Sequence, residues 1–297
     1  MRLGAFEVNE PLPDLKDTHA FAILRPWIDA GNVGSLTLSW LEKHTGGGRI
    51  AELSRPGSYF DFTRYRPVIY RSGGRRQVVV PNTFVTCGRQ ENGPDFLFFH
   101  LLEPHMLGET YVESVLGLLE KFDVKRYCLL GSMYDFVPHT RPLPVTGGAE
   151  GKKARTELER AGVTPSNYEG PTTILSLVSQ RAFDSGVETM TVIVHLPQYT
   201  ELDEDYIGVL RLEEIVSRLY GVPVDQGSVE RAERQREFLS TTVASNPQMQ
   251  EILEQLEKTC DAGERKGEEE EEKDEPRPLS PKVEEFLREM EKRFRRE

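Results

Sequence analysis

Hydrophobic positions along the chain follow two alternating rhythms. The first is a short, nearly unbroken apolar run, the signature of a strand buried on both faces. It occurs at Ala20–Leu24, within Asp95–Leu102 (FLFFHLL), at Tyr127–Leu130 and at Met190–Leu196 (MTVIVHL). The second places apolar residues three and four apart, as on one face of a helix. Val33, Leu36, Trp40 and Leu41 do so after Gly31-Asn32, and Tyr111, Val115, Leu118, Leu119 and Phe122 after Gly108. Ile174, Leu175, Val178 and Ala182 repeat the pattern within 172–184, and Tyr206, Val209, Leu210, Ile215, Val216 and Leu219 within 203–220. Gly46-Gly47-Gly48 stops the first helix, and Gly131 is expected to end the Tyr127 strand. Ile50–Leu53 reads as a further strand. Pro67–Arg71 and Gln77–Pro81 read as a hairpin joined through Ser72-Gly73-Gly74, with Arg71, Arg75 and Arg76 solubilising its tip.

Strands that alternate with helices predict an α/β fold: a three-layer α/β/α sandwich on a parallel-rich sheet. Beyond residue 226 only helical signals remain, with Asn246-Pro247 as an internal cap and restart. The expected organisation is a body over 1–226, a helical arm over 227–262, an acidic linker over 263–279 and an amphipathic helix over 280–297. Glu264–Glu275 holds eight acids and three bases. After it, Ser280 and Pro281 can open a helix with Val283, Phe286, Leu287, Met290 and Phe294 on one stripe. A helix this short is marginal alone. It is therefore expected to dock on its own body, a sister subunit or a partner.

Composition narrows the function classes. The 297 residues carry a net charge of -12, with 37% hydrophobic and 29% charged residues. That balance argues against nonspecific nucleic-acid binding, which needs clustered Lys and Arg. No apolar run reaches the ~18–20 residues that span a bilayer. The first seventeen residues lack a basic-then-apolar signal pattern, so a cytoplasmic, non-membrane protein is expected. Cys87, Cys128 and Cys260 are odd in number and far apart, which signals no disulfide framework. The six histidines show neither HxxxH nor HExxH spacing, and no phosphate-cradling loop precedes a helix. No metal and no cofactor are expected.

The densest polar constellation is Gly131–Pro142, which contains Ser132, His139, Thr140 and Arg141. It begins where a buried strand is expected to end, and α/β sheets bind ligands beyond the carboxyl ends of their strands. Glu103 and His195 lie at the ends of two other buried strands. Glu103, Ser132, His139, Thr140, Arg141 and His195 are therefore the candidate ligand-binding residues. If Glu103, His139 and His195 converge on one rim, a His–Glu pair could transfer protons. The competing reading gives each group a loop-backbone partner. No GxSxG elbow occurs, and no catalytic residue is assigned. His100, inside FLFFHLL, is expected to be a satisfied core histidine.

Four stretches resemble a known family in order and spacing. They are WIDAGNVGSLTLSWL after residue 26, YFDFTRYRP (Tyr59–Pro67), VPHTRPLPVTG (Val137–Gly147) and HLPQYTELDEDYIGVLRLEEIVSRLYGVPVD (His195–Asp225). Together they resemble the proteasome assembly chaperone family of the second-chaperone type, in its bacterial branch, over about residues 20–226. Gln198 stands where bacterial relatives usually carry a histidine. The resemblance implies a phosphorylase-like α/β/α sandwich with a helical extension, and self-association with a trimer as one form. It supplies no catalytic motif to carry over. The function it implies is non-enzymatic: an oligomeric assembly, scaffold or binding protein. The alternative is a nucleoside- or phosphate-type enzyme or binder built on the polar rim.

Overall fold

Period-two burial explains the sheet. In the computed structural model, which describes residues 1–267, both faces of the central strands are covered. The acidic segment beyond Gly267 and the helix expected over 280–297 lie outside the described residues. The strands are β1 (Arg2–Leu3), β2 (Phe6–Val8), β3 (His19–Arg25), β4 (Gly48–Leu53), β5 (Val68–Ser72), β6 (Arg75–Val79), β7 (Phe84–Gly88), β8 (Phe96–Leu102), β9 (Arg126–Asp135), β10 (Val145–Glu150), β11 (Thr164–Pro165) and β12 (Glu188–Pro197). The helices are α1 (Val33–Thr45), α2 (Gly108–Lys121), α3 (Lys152–Arg160), α4 (Ile174–Asp184), α5 (Tyr206–Tyr220), α6 (Gln226–Ala244) and α7 (Pro247–Gly267).

Ten strands form one sheet in the order β1-β2-β4-β7-β8-β3-β9-β12-β10-β11. Its middle, β8-β3-β9-β12, is parallel. The neighbours on both sides, β1-β2-β4-β7-β8 and β12-β10, are antiparallel. The alternation of strands and helices thus accounts for the centre, and the added antiparallel strands make the sheet mixed. Successive residues of β8 serve opposite cores. Leu97, Phe99 and Leu101 face α2 and α4, with Tyr111, Val115, Leu175 and Val178. Phe96 and Phe98 join Phe21 and Ile23 of β3 in the core built with α1, α3 and α5. Completely burying one such aromatic side chain stabilises the fold by ~2–3 kcal/mol.

Gly131 does not end β9, which continues to Asp135. A Cβ at Gly131 would lie 2.6 Å from the Ile28 carbonyl oxygen. That carbonyl accepts a hydrogen bond from Ser132 N–H at 2.9 Å. The glycine therefore permits a close approach and is not a terminator. Ser132 consequently lies inside the strand.

β5 and β6 pair only with each other, outside the main sheet, and every residue of both strands is exposed. The arm joins the end of β4 to the start of β7. β4 and β8 both run antiparallel to β7, so the arm rises from the edge where β8, β3, β9 and β12 end. We call that edge the C-terminal rim.

Candidate functional site

The rim is where the candidate residues lie, and the strand spacing sets how far apart they are. Glu103 follows β8, whereas His195 is on β12, three strands across. At ~4.8 Å per strand this is about 14 Å. Glu103 Oε1 accepts the Ile174 N–H at 3.0 Å, satisfying the first turn of α4. Ser132 is completely buried and donates to the Ala30 carbonyl at 2.7 Å.

His139 is also completely buried. Tyr199 Oη accepts the His139 backbone N–H at 2.8 Å and lies 2.7 Å from its Nδ1. Ser240 Oγ lies 3.2 Å from Nε2 and donates onward to the Arg236 carbonyl at 2.8 Å. With Tyr199 donating to Nδ1 and Nε2–H donating to Ser240, a neutral imidazole satisfies every partner. Burial, which lowers the His139 pKa, favours that form. His139 thus ties the loop after β9 to the turn after β12 and to α6.

Thr140 and Arg141 hold α7. The Thr140 hydroxyl donates to Glu257. Arg141 Nε and Nη2 reach the two Asp261 oxygens at 2.8 and 3.1 Å, and Nη1 reaches Glu257 at 3.3 Å. The bidentate bond to Asp261 raises the guanidinium pKa further. We expect Arg141→Ala to release α7: amide exchange over 247–261 should rise while exchange in β8 and β9 stays fixed. Unchanged exchange in α7 would show that this pair does not anchor it.

His195 has a different setting. Its Nδ1 is 2.6 Å from Asp135 Oδ2 and its Nε2 is 2.7 Å from Thr146 Oγ1. Asp135 and Thr146 stand diagonally on the flanking strands β9 and β10, within reach of a ring on β12. Burial raises the Asp135 pKa, but hydrogen bonds from His195 and the Phe136 N–H outweigh it, and the carboxylate stays below its usual range. Nδ1–H therefore donates to Asp135, leaving Nε2 to accept from the Thr146 hydroxyl. This carboxylate–imidazole–hydroxyl order is the one used to activate a nucleophile. Sequence reasoning found His195 and missed Asp135 and Thr146, because the partners come from three strands and are 11 to 60 residues apart. Glu103 and His195 do not pair on the rim: each takes other partners.

His100 has a core role: its Nε2–H donates to Glu42 Oε1 at 2.8 Å, and Phe84 stacks on its ring at 4.4 Å. Among the described residues, no group of three or more His, Cys, Asp or Glu is placed to hold a metal ion. No described helix is long and apolar enough to cross a membrane. A cleft of about 490 Å³ does exist, but at the opposite edge, between the ends of α2 and α4 and lined by Glu113, Glu120, Lys125 and Arg181.

The polar groups of the rim are thus largely engaged with one another, while apolar side chains at the same edge are exposed. Trp27 follows β3, Met106 and Leu107 follow β8, and Phe136 follows β9; all four are exposed. Residues 23–242 match the PAC2 family. The chain belongs to the PAC2 family. A Corynebacterium glutamicum protein of unknown function superposes with a TM-score of 0.78 at 20% identity, covering 89% of this chain and 99% of that one. A Mycobacterium tuberculosis proteasome-assembly chaperone homologue gives 0.70 at 24% identity, covering 79% and 99%. PbaB of Pyrococcus furiosus, an archaeal proteasome activator, gives 0.61 at 16% identity, covering 82% and 99%. These likenesses are of fold. No curated protein matches the chain.

Proposed function

We infer that this PAC2 protein is a non-enzymatic assembly or scaffold protein of the cytoplasm that self-associates and binds protein through its C-terminal rim. The observation that carries the reading is the inversion of an enzyme's usual rim. Ser132, His139, Thr140 and Arg141 are bonded internally, while Trp27, Met106, Leu107 and Phe136 face solvent. Exposed apolar patches of this kind mark protein contacts, and Trp is the residue most often found at their hot spots. The likeness to a proteasome-assembly chaperone homologue supports an assembly role, and that to an archaeal proteasome activator supports action through a protein partner.

The test is sedimentation of the full chain beside a Trp27→Ser/Phe136→Ser variant, with both baits used for copurification from the host. Oligomers and a reproducible protein partner that are lost together in the variant are the expected result. A monomeric chain that retains a metabolite and no protein would overturn the reading.

The Asp135–His195–Thr146 chain favours a second reading, a small-molecule enzyme. His195 would act as base and Thr146 as nucleophile. Covalent labelling of Thr146 by a fluorophosphonate, abolished by His195→Ala, is its signature; unlabelled Thr146 removes it.

A further inference from the structure

The β5–β6 arm is the least self-sufficient part of the molecule. An isolated two-stranded hairpin is marginally stable in water, yet here Val68, Ile69, Tyr70, Val78, Val79 and Val80 are all exposed. Its charge is as one-sided as its surface is apolar. Residues 62–90 contain six arginines and no acidic residue, in a chain whose net charge is -12. Pairing register concentrates that charge. Ile69 stands opposite Val78 and Arg71 opposite Arg76, and residues two apart share a face. One face therefore presents an apolar pair followed by a pair of facing guanidinium groups. Like charges directly opposite each other destabilise a ribbon. An anionic partner laid across them would turn that cost into a contact.

The sequence contains a segment with matching chemistry. Thirty residues follow Gly267. Glu268–Glu275 holds seven acids and one lysine, and Val283, Phe286, Leu287, Met290 and Phe294 come after it. The segment starts near the arm's edge of the sheet: Glu257 and Asp261 of α7 are bonded to Thr140 and Arg141 beyond the end of β9. The base of the arm is fixed on that rim too, where the Tyr65 hydroxyl donates to the Glu103 carbonyl at 3.1 Å. The acidic run follows Gly267 directly, and its eight residues extend to ~27 Å, enough to cross the ~10 Å from β9 to β8. Tethering also gives the segment a local concentration in the ~mM range.

We propose that residues 268–297 dock on the β5–β6 arm of their own chain, the acidic run against Arg71, Arg75 and Arg76 and the apolar residues after it against the exposed valines, Ile69 and Tyr70. The docked segment covers the arm until a partner with a similar acidic and apolar segment displaces it. The inference stands apart from the function proposed above, because it concerns an intramolecular contact.

Hydrogen exchange of the full-length chain tests it. Amides over 68–80 are expected to exchange at least tenfold faster in Arg71→Glu/Arg75→Glu/Arg76→Glu. A similar rise is expected when Glu268–Glu272 are replaced by lysine. Combining the two charge reversals should restore slow exchange, a rescue that general unfolding of the arm would not give. Protection that survives replacement of Glu268–Glu272, or that grows with protein concentration, would overturn the proposal in favour of a second copy. Protection that appears only with anionic vesicles or DNA would overturn it in favour of those ligands.

Discussion

Arg126→Met is expected to lower the stability of the protein by about 3 kcal/mol, because it strands two carboxylates around a buried position. The Arg126 side chain is 2% exposed. Nη1 lies 2.6 Å from Glu157 of α3, and Nη2 lies 2.7 Å from Glu188 of β12. Arg126 opens β9 and has His19 of β3 and Glu188 of β12 as its backbone partners. Tyr220, the last residue of α5, also favours its charge. The guanidinium thus ties β9 and β12 to α3. Burial opposes its charge, but Tyr220, Glu188 and Glu157 outweigh burial and raise its pKa. Glu188 also accepts the Ala154 N–H at 3.3 Å, so it cannot turn away without uncapping α3. Glu157 and Glu188 are 30% and 28% exposed; water therefore reaches them in part, which sets the expected loss at the low end of the range for broken buried pairs.

For a protein of this length the loss corresponds to a fall in Tm of about 5 °C. Arg126→Lys should fall between, since an ammonium cannot bridge both carboxylates with the same fork geometry. Adding Glu157→Gln and Glu188→Gln to Arg126→Met should recover part of the loss. Thermal denaturation at neutral pH measures all of these. If Arg126→Met costs no more than a surface substitution, the cluster does not hold the layers together.

Much of this architecture was legible in the chain, and the exceptions have physical causes. FLFFHLL, MTVIVHL and the Ala20 run are apolar at every step because they are buried on both faces, and they form the parallel centre. The helices with a clear apolar stripe were legible for the same reason. β10 reads VTGGAE, and α3 reads KKARTELER. Neither advertises burial. The first lies near the sheet's edge, and the second buries only Ala154 and Leu158. β7 alternates Phe84, Val85, Thr86, Cys87 and Gly88 without standing out from the loops beside it. Gly131 was misread because a glycine needed for close packing and one that ends a strand look the same in one dimension. Candidate side chains failed to assemble for a related reason. Sequence proximity placed His139, Thr140 and Arg141 together, while the fold sends them to Tyr199, Glu257 and Asp261 respectively. The partners that His195 does meet, Asp135 and Thr146, are neighbours only across the sheet.

Two buried groups make the pH dependence of stability deceptively flat, and separating them gives the second large effect. Burial, with Arg126 adding to it, pushes the His19 pKa down to about 4 from an ordinary 6.5. The unfolded chain therefore takes up a proton between these values that the folded chain refuses. The contribution of His19 is fully present above pH 6.5 and is lost as pH falls through 4. Glu213 has the opposite sign. It is completely buried, and burial pushes its pKa up to about 7 from 4.5, against the bonds from Ser228 and the Asp225 N–H. Its protonated form is the one the fold favours, so its contribution is present below pH 4.5 and is lost as pH rises through 7.

Each slope is about 1.4 kcal/mol per pH unit, and from pH 4.5 to 6.5 the two cancel. For the wild type, these two groups therefore leave stability flatter across that window than in either variant. Glu213→Gln keeps a neutral side chain beside Ser228 and removes one slope. Its stability should rise by about 2–3 kcal/mol from pH 4.5 to 6.5, and it should exceed the wild type at pH 8. His19→Phe keeps the packing against Tyr220 and should show the mirror image, falling over the same window. Urea midpoints collected at half-unit steps from pH 4 to 8 measure both. Two variants as flat as the wild type would mean that neither group holds its shifted protonation state in the folded protein. A slope in only one variant would assign the shift to that residue alone, and would require another group to balance it in the wild type. His139 is the first to examine, because burial lowers its pKa in the same direction as that of His19.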